Sequence, residues 1–253
     1  MTVLSGLLAA VDVVDLTTPL QSSTPILELP PPFANTHRFE LSELSRYDEK
    51  GPAWYWNDIH TGEHTGTHLD APVHWVTGRD GLDVSQAPLS TLVAPAVVID
   101  MTAEVAQDAD FLLEHDHIRA WEERHGALPD GGWLLYRTGW AARGDDAAAF
   151  ANADENGPHT PGVSPECARW LAEESPIAGF GVETVGTDAG AAHSFEPAFP
   201  CHSALMGANK WGLTSLRNLD RLPATGAVLI VCPLPIVGGS GSPARVLALV
   251  ERA

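Results

Sequence analysis

Residues 64–75 read HTGTHLDAPVHW, and this stretch constrains the chain more than any other. His64, His68, Asp70 and His74 place three imidazoles and one carboxylate close together. Imidazole nitrogen and carboxylate oxygen are the ligands that a borderline divalent metal prefers. All four positions share one parity, so an extended segment projects them from one face. A helix would bring His64 and His68 together but turn Asp70 away, and Gly66 and Pro72 oppose a continuous helix. A straight strand rising roughly 3.3 Å per residue would hold His64 and His68 about 13 Å apart, too far for one ion. The segment is therefore predicted to be a bent strand or loop, with Gly66 at the bend. His74 lies beyond Pro72, where it can stay near a metal without binding it. A lone histidine is more often a surface or core residue. Three on one parity with an aspartate, around a glycine and a proline, point to a metal site.

The 253 residues suit one domain spanning 1–253, with no Ser/Gly linker, repeat or low-complexity tract. Hydrophobic residues make up 44%, enough for an ordinary core. No apolar run approaches the ~20 residues of a membrane span. The first twenty residues resemble a signal peptide superficially. They lack Lys or Arg before the apolar part, and Asp12 and Asp15 interrupt it, so a short helix and then a strand are expected. Cys167, Cys201 and Cys232 are scattered and odd in number, which suits a reducing cytoplasm. A net charge of −19 disfavours nucleic acid and anionic membranes as partners and favours a neutral substrate.

Val13 to Leu16 reads as a strand, residues 24–35 as an irregular proline-rich segment, and Phe39 to Leu44 as a further strand. Ala94 to Met101 is a β-branched buried strand. Asp116 is expected to cap a helix running to His125, with Gly126 as its stop. Trp133 to Thr138 is a strand. Ser164-Pro165-Glu166 starts a helix to about Glu174 with a cap, a first-turn proline and a carboxylate against the dipole. Ile177 to Val185 is a strand, His202 to Met206 a short helix, and Ala227 to Cys232 and Arg245 to Val250 strands. The acidic stretch Asp145 to Glu155 reads as a solvated loop, and Ser240 to Ser242 as a flexible loop. This loose alternation gives an α/β or mixed β/α fold without fixing its topology.

The metal segment resembles the signature of the putative cyclase family, H-x-G-T-H-x-D-x-P-x-H, and matches it without departure from His64 to His74. That family includes bacterial kynurenine formamidases and isatin hydrolases. The flanks GPAWYWN, GRDGLD at Gly78 to Asp83, GVETVGTDAG at Gly181 to Gly190, PCHSALMGANKWGL at Pro200 to Leu213, NLDRLP at Asn218 to Pro223 and GSGSPARVLALV at Gly239 to Val250 are similar to the isatin-hydrolase branch. The resemblance implies a swivelling β/β/α-type fold assembled as a homodimer or homotetramer. It implies that His64, His68 and Asp70 bind the metal and that His74 donates and accepts protons. His202 matches a later His of a second formamidase metal. Twelve residues on, where that family has Glu or Gln, this chain has Thr214. A neutral hydroxyl is a weaker ligand than a carboxylate, so one divalent ion, manganese or zinc, is expected. His202 then contacts substrate, binds metal weakly or orients other ligands, or merely bonds local backbone.

The resulting expectation is hydrolysis of a small cyclic amide, an isatin-like lactam, by water activated at the metal with His74 as proton carrier. The alternatives are an N-formylkynurenine-type arylformamidase, a non-hydrolytic cyclase or dehydratase, and a non-enzymatic metal-binding protein. Trp54, Tyr55, Trp56 and Trp75 surround the ligand segment in sequence, so Trp54, Trp56 and Trp75 are candidates for stacking a flat substrate, or for core packing. Glu183 and Asp188 are candidates either to orient a ligand His or to make ordinary turn and ion-pair contacts. His115, His117, His125, His159 and His193 lack partners at metal spacing and read as surface or packing residues.

Overall fold

The protein is described from a computed structural model, which covers residue 6 and residues 9–252. The helix expected at the N-terminus lies largely outside these residues. The strand expected after it is β1, Val11–Asp15.

A hairpin follows, β2 (Glu40–Arg46) and β3 (Tyr55–His60), and then the short β4 (His68–Asp70). The remaining strands are β5 (Val93–Asp100), β6 (Trp133–Arg137), β7 (Gly179–Val182), β8 (Trp211–Thr214), β9 (Ala227–Pro233) and β10 (Gly241–Glu251). The main sheet has eight strands in the order β1-β10-β9-β5-β6-β7-β8-β4. β4 pairs again with β10, so the sheet closes into a barrel-like ring with β1 left outside it. The central β5–β6–β7–β8 strands run parallel, and the strands flanking them are antiparallel.

Strand alternation builds two cores at once. Trp133 and Leu135 of β6 point into the ring, beside Leu69, Leu213, Leu229 and Val246. Leu134 and Tyr136 point outward under the helices α1 (His115–His125), α2 (Pro165–Glu173) and α3 (Pro200–Gly207). Both faces of these strands are buried, so they read as continuous apolar runs rather than alternating ones. Close packing also sets composition: a Cβ on Gly179 would lie 2.4 Å from the Trp133 ring.

The expected mixed α/β class is what the structure has, with local corrections. Glu114, not Asp116, occupies the cap of α1, and Gly126 ends that helix at φ +92°. Ser164 caps α2 as expected, its hydroxyl accepting from the Cys167 amide. The Asp145 to Glu155 stretch is not a plain loop, because Asp146 accepts the Ala148 and Ala149 amides and starts a short helix over Ala147–Ala151. Gly241 and Ser242 are not loop either: they already pair with Asp70 and Leu69.

His159 is a packing residue with two acidic partners. Its Nδ1 lies 2.6 Å from Asp110 Oδ2 and its Nε2 3.1 Å from Asp154 Oδ1. The hydrogen bonds to Asp110 and Asp154 raise its pKa. A raised folded-state pKa stabilises fully below the unfolded histidine value of about 6.5, and the gain disappears as pH rises through the folded value. His159→Gln is therefore expected to lower the Tm at about pH 6 and leave it unchanged at about pH 9, which thermal melts at the two pH values will show.

Candidate metal centre

The site is assembled where β4 is inserted between β8 and β10. His68 and Asp70 share one face of β4, while Leu69 between them is fully buried in the ring. Gly66 takes φ +63°, the left-handed conformation open to glycine, and the chain bends there as expected. The bend returns His64 to the aspartate, with His64 Nδ1 2.8 Å and His68 Nε2 3.2 Å from Asp70 Oδ1. His68 is oriented from behind, its Nδ1 lying 2.8 Å from the Gly66 carbonyl. That bond leaves Nε2 to face the carboxylate.

Asp70 stands opposite Gly212 on one side and Gly241 on the other. Neither position accepts a side chain. A Cβ on Gly212 would approach Asp70 Oδ2 to 2.9 Å, and one on Gly241 would approach His64 Cε1 to 2.6 Å. Pro72–His74 then forms one turn of 3₁₀ helix, in which the His74 amide donates to the Ala71 carbonyl. This turn stacks the His74 ring on His64 at 3.9 Å between centroids. Potential ligand atoms of His64, Asp70 and His74 lie within 4.8 Å of one another.

Electrostatics agree with a cation site. Burial pushes the Asp70 carboxyl up, but the charges and hydrogen bonds of His68 and His64 outweigh it and hold the group well below the usual carboxylate range. Asp70 Oδ2 is buried without any hydrogen-bond partner. A buried, ionised, half-unsatisfied carboxylate is costly unless a cation completes it. The neighbouring donor set is imidazole nitrogen, so the residues present fit a divalent ion. Burial, together with the charges of His64, His202 and His68, lowers the His74 pKa to about 4 against the opposing pull of Asp70. His74 is thus a neutral base at neutral pH.

His202 sits in the first turn of α3 with its Nε2 3.9 Å from Asp70 Oδ2. Asp188 positions it: Asp188 Oδ2 lies 2.5 Å from His202 Nδ1 and accepts the His202 amide, and Oδ1 accepts the Cys201 amide. Burial lowers the His202 pKa, but the Asp188 hydrogen bond and charge and the Asp70 charge raise it overall. Glu183 takes the other weighed role, that of a structural group. Its Oε2 accepts the Thr138, Gly139 and Trp140 amides and the Thr138 hydroxyl. Thr214 is fully buried opposite His68, with Oγ1 2.8 Å from His68 Nδ1 and 3.1 Å from Nε2.

Of the three tryptophans, Trp75 reaches the histidines, its ring 4.9 Å from His202 and 6.0 Å from His74. Trp54 and Trp56 instead stand on the β2–β3 hairpin, 46% and 55% exposed, with their rings against each other. Sequence reasoning missed Phe199, whose ring meets Trp75 at 5.6 Å. Its backbone lies at φ +53°, a strained value for a bulky residue and one that no local pattern announces. Glu63 and Ser240, beside His64, were also missed. The one available signal was the carboxylate adjoining the first motif histidine.

A mixed α/β barrel with a buried histidine–carboxylate donor set and an adjacent aromatic wall has the architecture of a metal-dependent hydrolase. The sequence profile described as Putative cyclase matches residues 14–189, and the chain belongs to that family. It is 50% identical to the isatin hydrolase of Roseibium aggregatum over 246 residues, covering 96% of this chain and 93% of that protein. Isatin hydrolase A from Ralstonia solanacearum superposes with a TM-score of 0.95 at 51% identity, over 99% of this chain and 98% of that one. An isatin hydrolase bound to the product analogue thioisatinate superposes with a TM-score of 0.95 at 49% identity, over the whole of both chains.

Proposed function

We propose that the protein is a metal-dependent hydrolase that opens a small, neutral cyclic amide of the isatin class. The observation that carries this reading is the orphaned Asp70 Oδ2 among His64, His68 and His74. The likeness to isatin hydrolases supports the substrate class. His64, His68 and Asp70 would hold one divalent ion, manganese or zinc. When bound, that ion supplies Lewis acidity, acidifying a water and drawing charge from a carbonyl oxygen.

The chain's own groups do the rest. His74, neutral and stacked on His64, accepts the proton of the attacking water at a ring nitrogen. The water oxygen bonds to the amide carbon, the ring C–N bond breaks, and His74 returns the proton to the departing nitrogen. The product is an amino acid whose new carboxyl group ionises, releasing the second water proton to solvent. Trp75 and Phe199 offer flat apolar faces beside His202, a surface suited to a planar bicyclic ring. Thr214, whose hydroxyl is engaged with His68, supports a single-ion site over the two-metal formamidase reading.

The test is direct. Protein loaded with manganese or zinc should consume isatin and incorporate oxygen from labelled water into the carboxylate. It should act on a linear N-aryl formamide at least an order of magnitude more slowly at equal enzyme concentration. Chelation should abolish turnover, and reloading should restore it. Loaded protein that leaves isatin and simple lactams intact would overturn the substrate assignment. Ring closure without incorporation of label would indicate the cyclase alternative.

We also infer assembly as a homodimer or homotetramer through the β2–β3 arm. A two-stranded hairpin is marginal alone in water, and this one exposes Leu41, Tyr47, Trp54, Trp56 and Ile59. Ile59→Lys with Trp56→Asp is expected to shift sedimentation to the monomer. The buried thiols of Cys167 and Cys201 and the exposed thiol of Cys232 are free, and no described helix is long and apolar enough to cross a membrane. Free thiols support a cytoplasmic location.

A further inference from the structure

We propose that Glu63 and Ser240 form a positioning pair that fixes the His64 tautomer and aims its Nδ1 at the cation site. The inference rests on the metal-site reading above and deepens it.

The hydrogen bonds assign the protons in sequence. A carboxylate only accepts, so the 2.6 Å contact between Ser240 Oγ and Glu63 Oε2 is donated by the serine hydroxyl. Ser240 Oγ then offers a lone pair to its other neighbour, His64 Nε2, at 2.9 Å. Nε2 must carry the hydrogen. With Nε2 so occupied, Nδ1 is left to hold either the proton it shares with Asp70 Oδ1, 2.8 Å away, or a metal ion. A divalent cation that displaces this proton meets an imidazole nitrogen and a carboxylate oxygen at one point. Ligand histidines commonly have such a partner behind them, and its loss typically weakens metal binding 10–100-fold.

Ser240 is held in place rather than carried on a free loop. Its amide donates to Glu63 Oε2 at 3.1 Å, and its carbonyl accepts the Ala71 amide at 2.9 Å. The preceding Gly239 carbonyl accepts the Val84 amide at 3.0 Å. Both flanking glycines are required by contact. A Cβ on Gly239 would meet Glu63 Oε1 at 2.9 Å, and one on Gly241 would meet the His64 ring. The GSG tripeptide is thus shaped around Glu63 and His64, with the hydroxyl between them.

The experiment measures zinc and manganese affinity by chelator competition on the full chain, alongside the Tm of the metal-free protein. Ser240→Ala is expected to weaken both metals 10–100-fold with the metal-free Tm unchanged, and Ser240→Thr to restore affinity to within a few-fold. Glu63→Gln, which keeps the side-chain shape, should weaken binding comparably because its amide can donate to Ser240 and reverse the hydrogen-bond chain. The double variant should bind no more weakly than the worse single one, as expected for groups acting as a unit. Wild-type affinity in Ser240→Ala, or losses that multiply in the double variant, would overturn the proposal. A wild-type protein that binds neither metal would instead count against the site itself, so the two failures are distinguishable.

Discussion

Asp70→Asn is expected to empty the site and lower turnover at least about 10³-fold, since the reaction loses its source of activated water. The substitution keeps the side-chain shape but removes the charge that a cation would balance. Asp70 Oδ1 gathers His64 and His68, and Oδ2 is buried with nothing to bond. An amide there presents at most one oxygen to the metal and places a donor where the site needs an acceptor. Elemental analysis should find metal in the wild type and background in the variant. A second readout needs no substrate. Free metal at 100 times its Kd stabilises a binding protein by about 2.7 kcal/mol, or about 5–10 °C in Tm for a chain of this size. The wild type should show that shift and Asp70→Asn should not. A variant that keeps both metal and turnover would place the chemistry elsewhere.

His74→Asn is expected to lower turnover about 10²–10⁴-fold while metal content stays at the wild-type level. His74 belongs to the compact ligand-atom cluster with His64 and Asp70, yet it comes from the 3₁₀ turn after the strand and stacks flat on His64. Stacking orients a ring without directing its nitrogen at the same point as its neighbour's. Burial and three surrounding imidazoles keep His74 uncharged at neutral pH, the state a proton acceptor requires. Loss of metal and turnover together would make His74 a ligand. Unchanged turnover would assign the proton transfer to another group, with His202 next in reach of Asp70.

Much of this centre was legible from residues 64–74. Their shared parity, the need for a bend and the glycine able to supply it are consequences of strand geometry, and Gly66 does take the left-handed conformation. The Ser164 cap and the Gly126 stop were legible for the same reason, since each depends on a few adjacent residues. Reading failed where the deciding partner is distant. Ser240 looks like part of a glycine-rich loop until the chain folds it onto Glu63. Trp54 and Trp56 lie near the motif in sequence, but their hairpin turns them to the surface, whereas Trp75 follows the 3₁₀ turn inward. Phe199 reaches the aromatic wall through a backbone conformation that only its packed surroundings sustain.

The kind of donor atom, the order of the donor residues along the chain and the face they share are local properties, set by residue chemistry and a two-residue period before any distant contact forms. The meeting of those atoms at one buried point is not local. It requires β4 to be wedged between β8 and β10, with Gly212 and Gly241 leaving space on either side and Ser240 and Asp188 orienting His64 and His202. Strand register and close packing between remote segments govern that convergence, because only they bring partners so far apart in the chain within hydrogen-bond range.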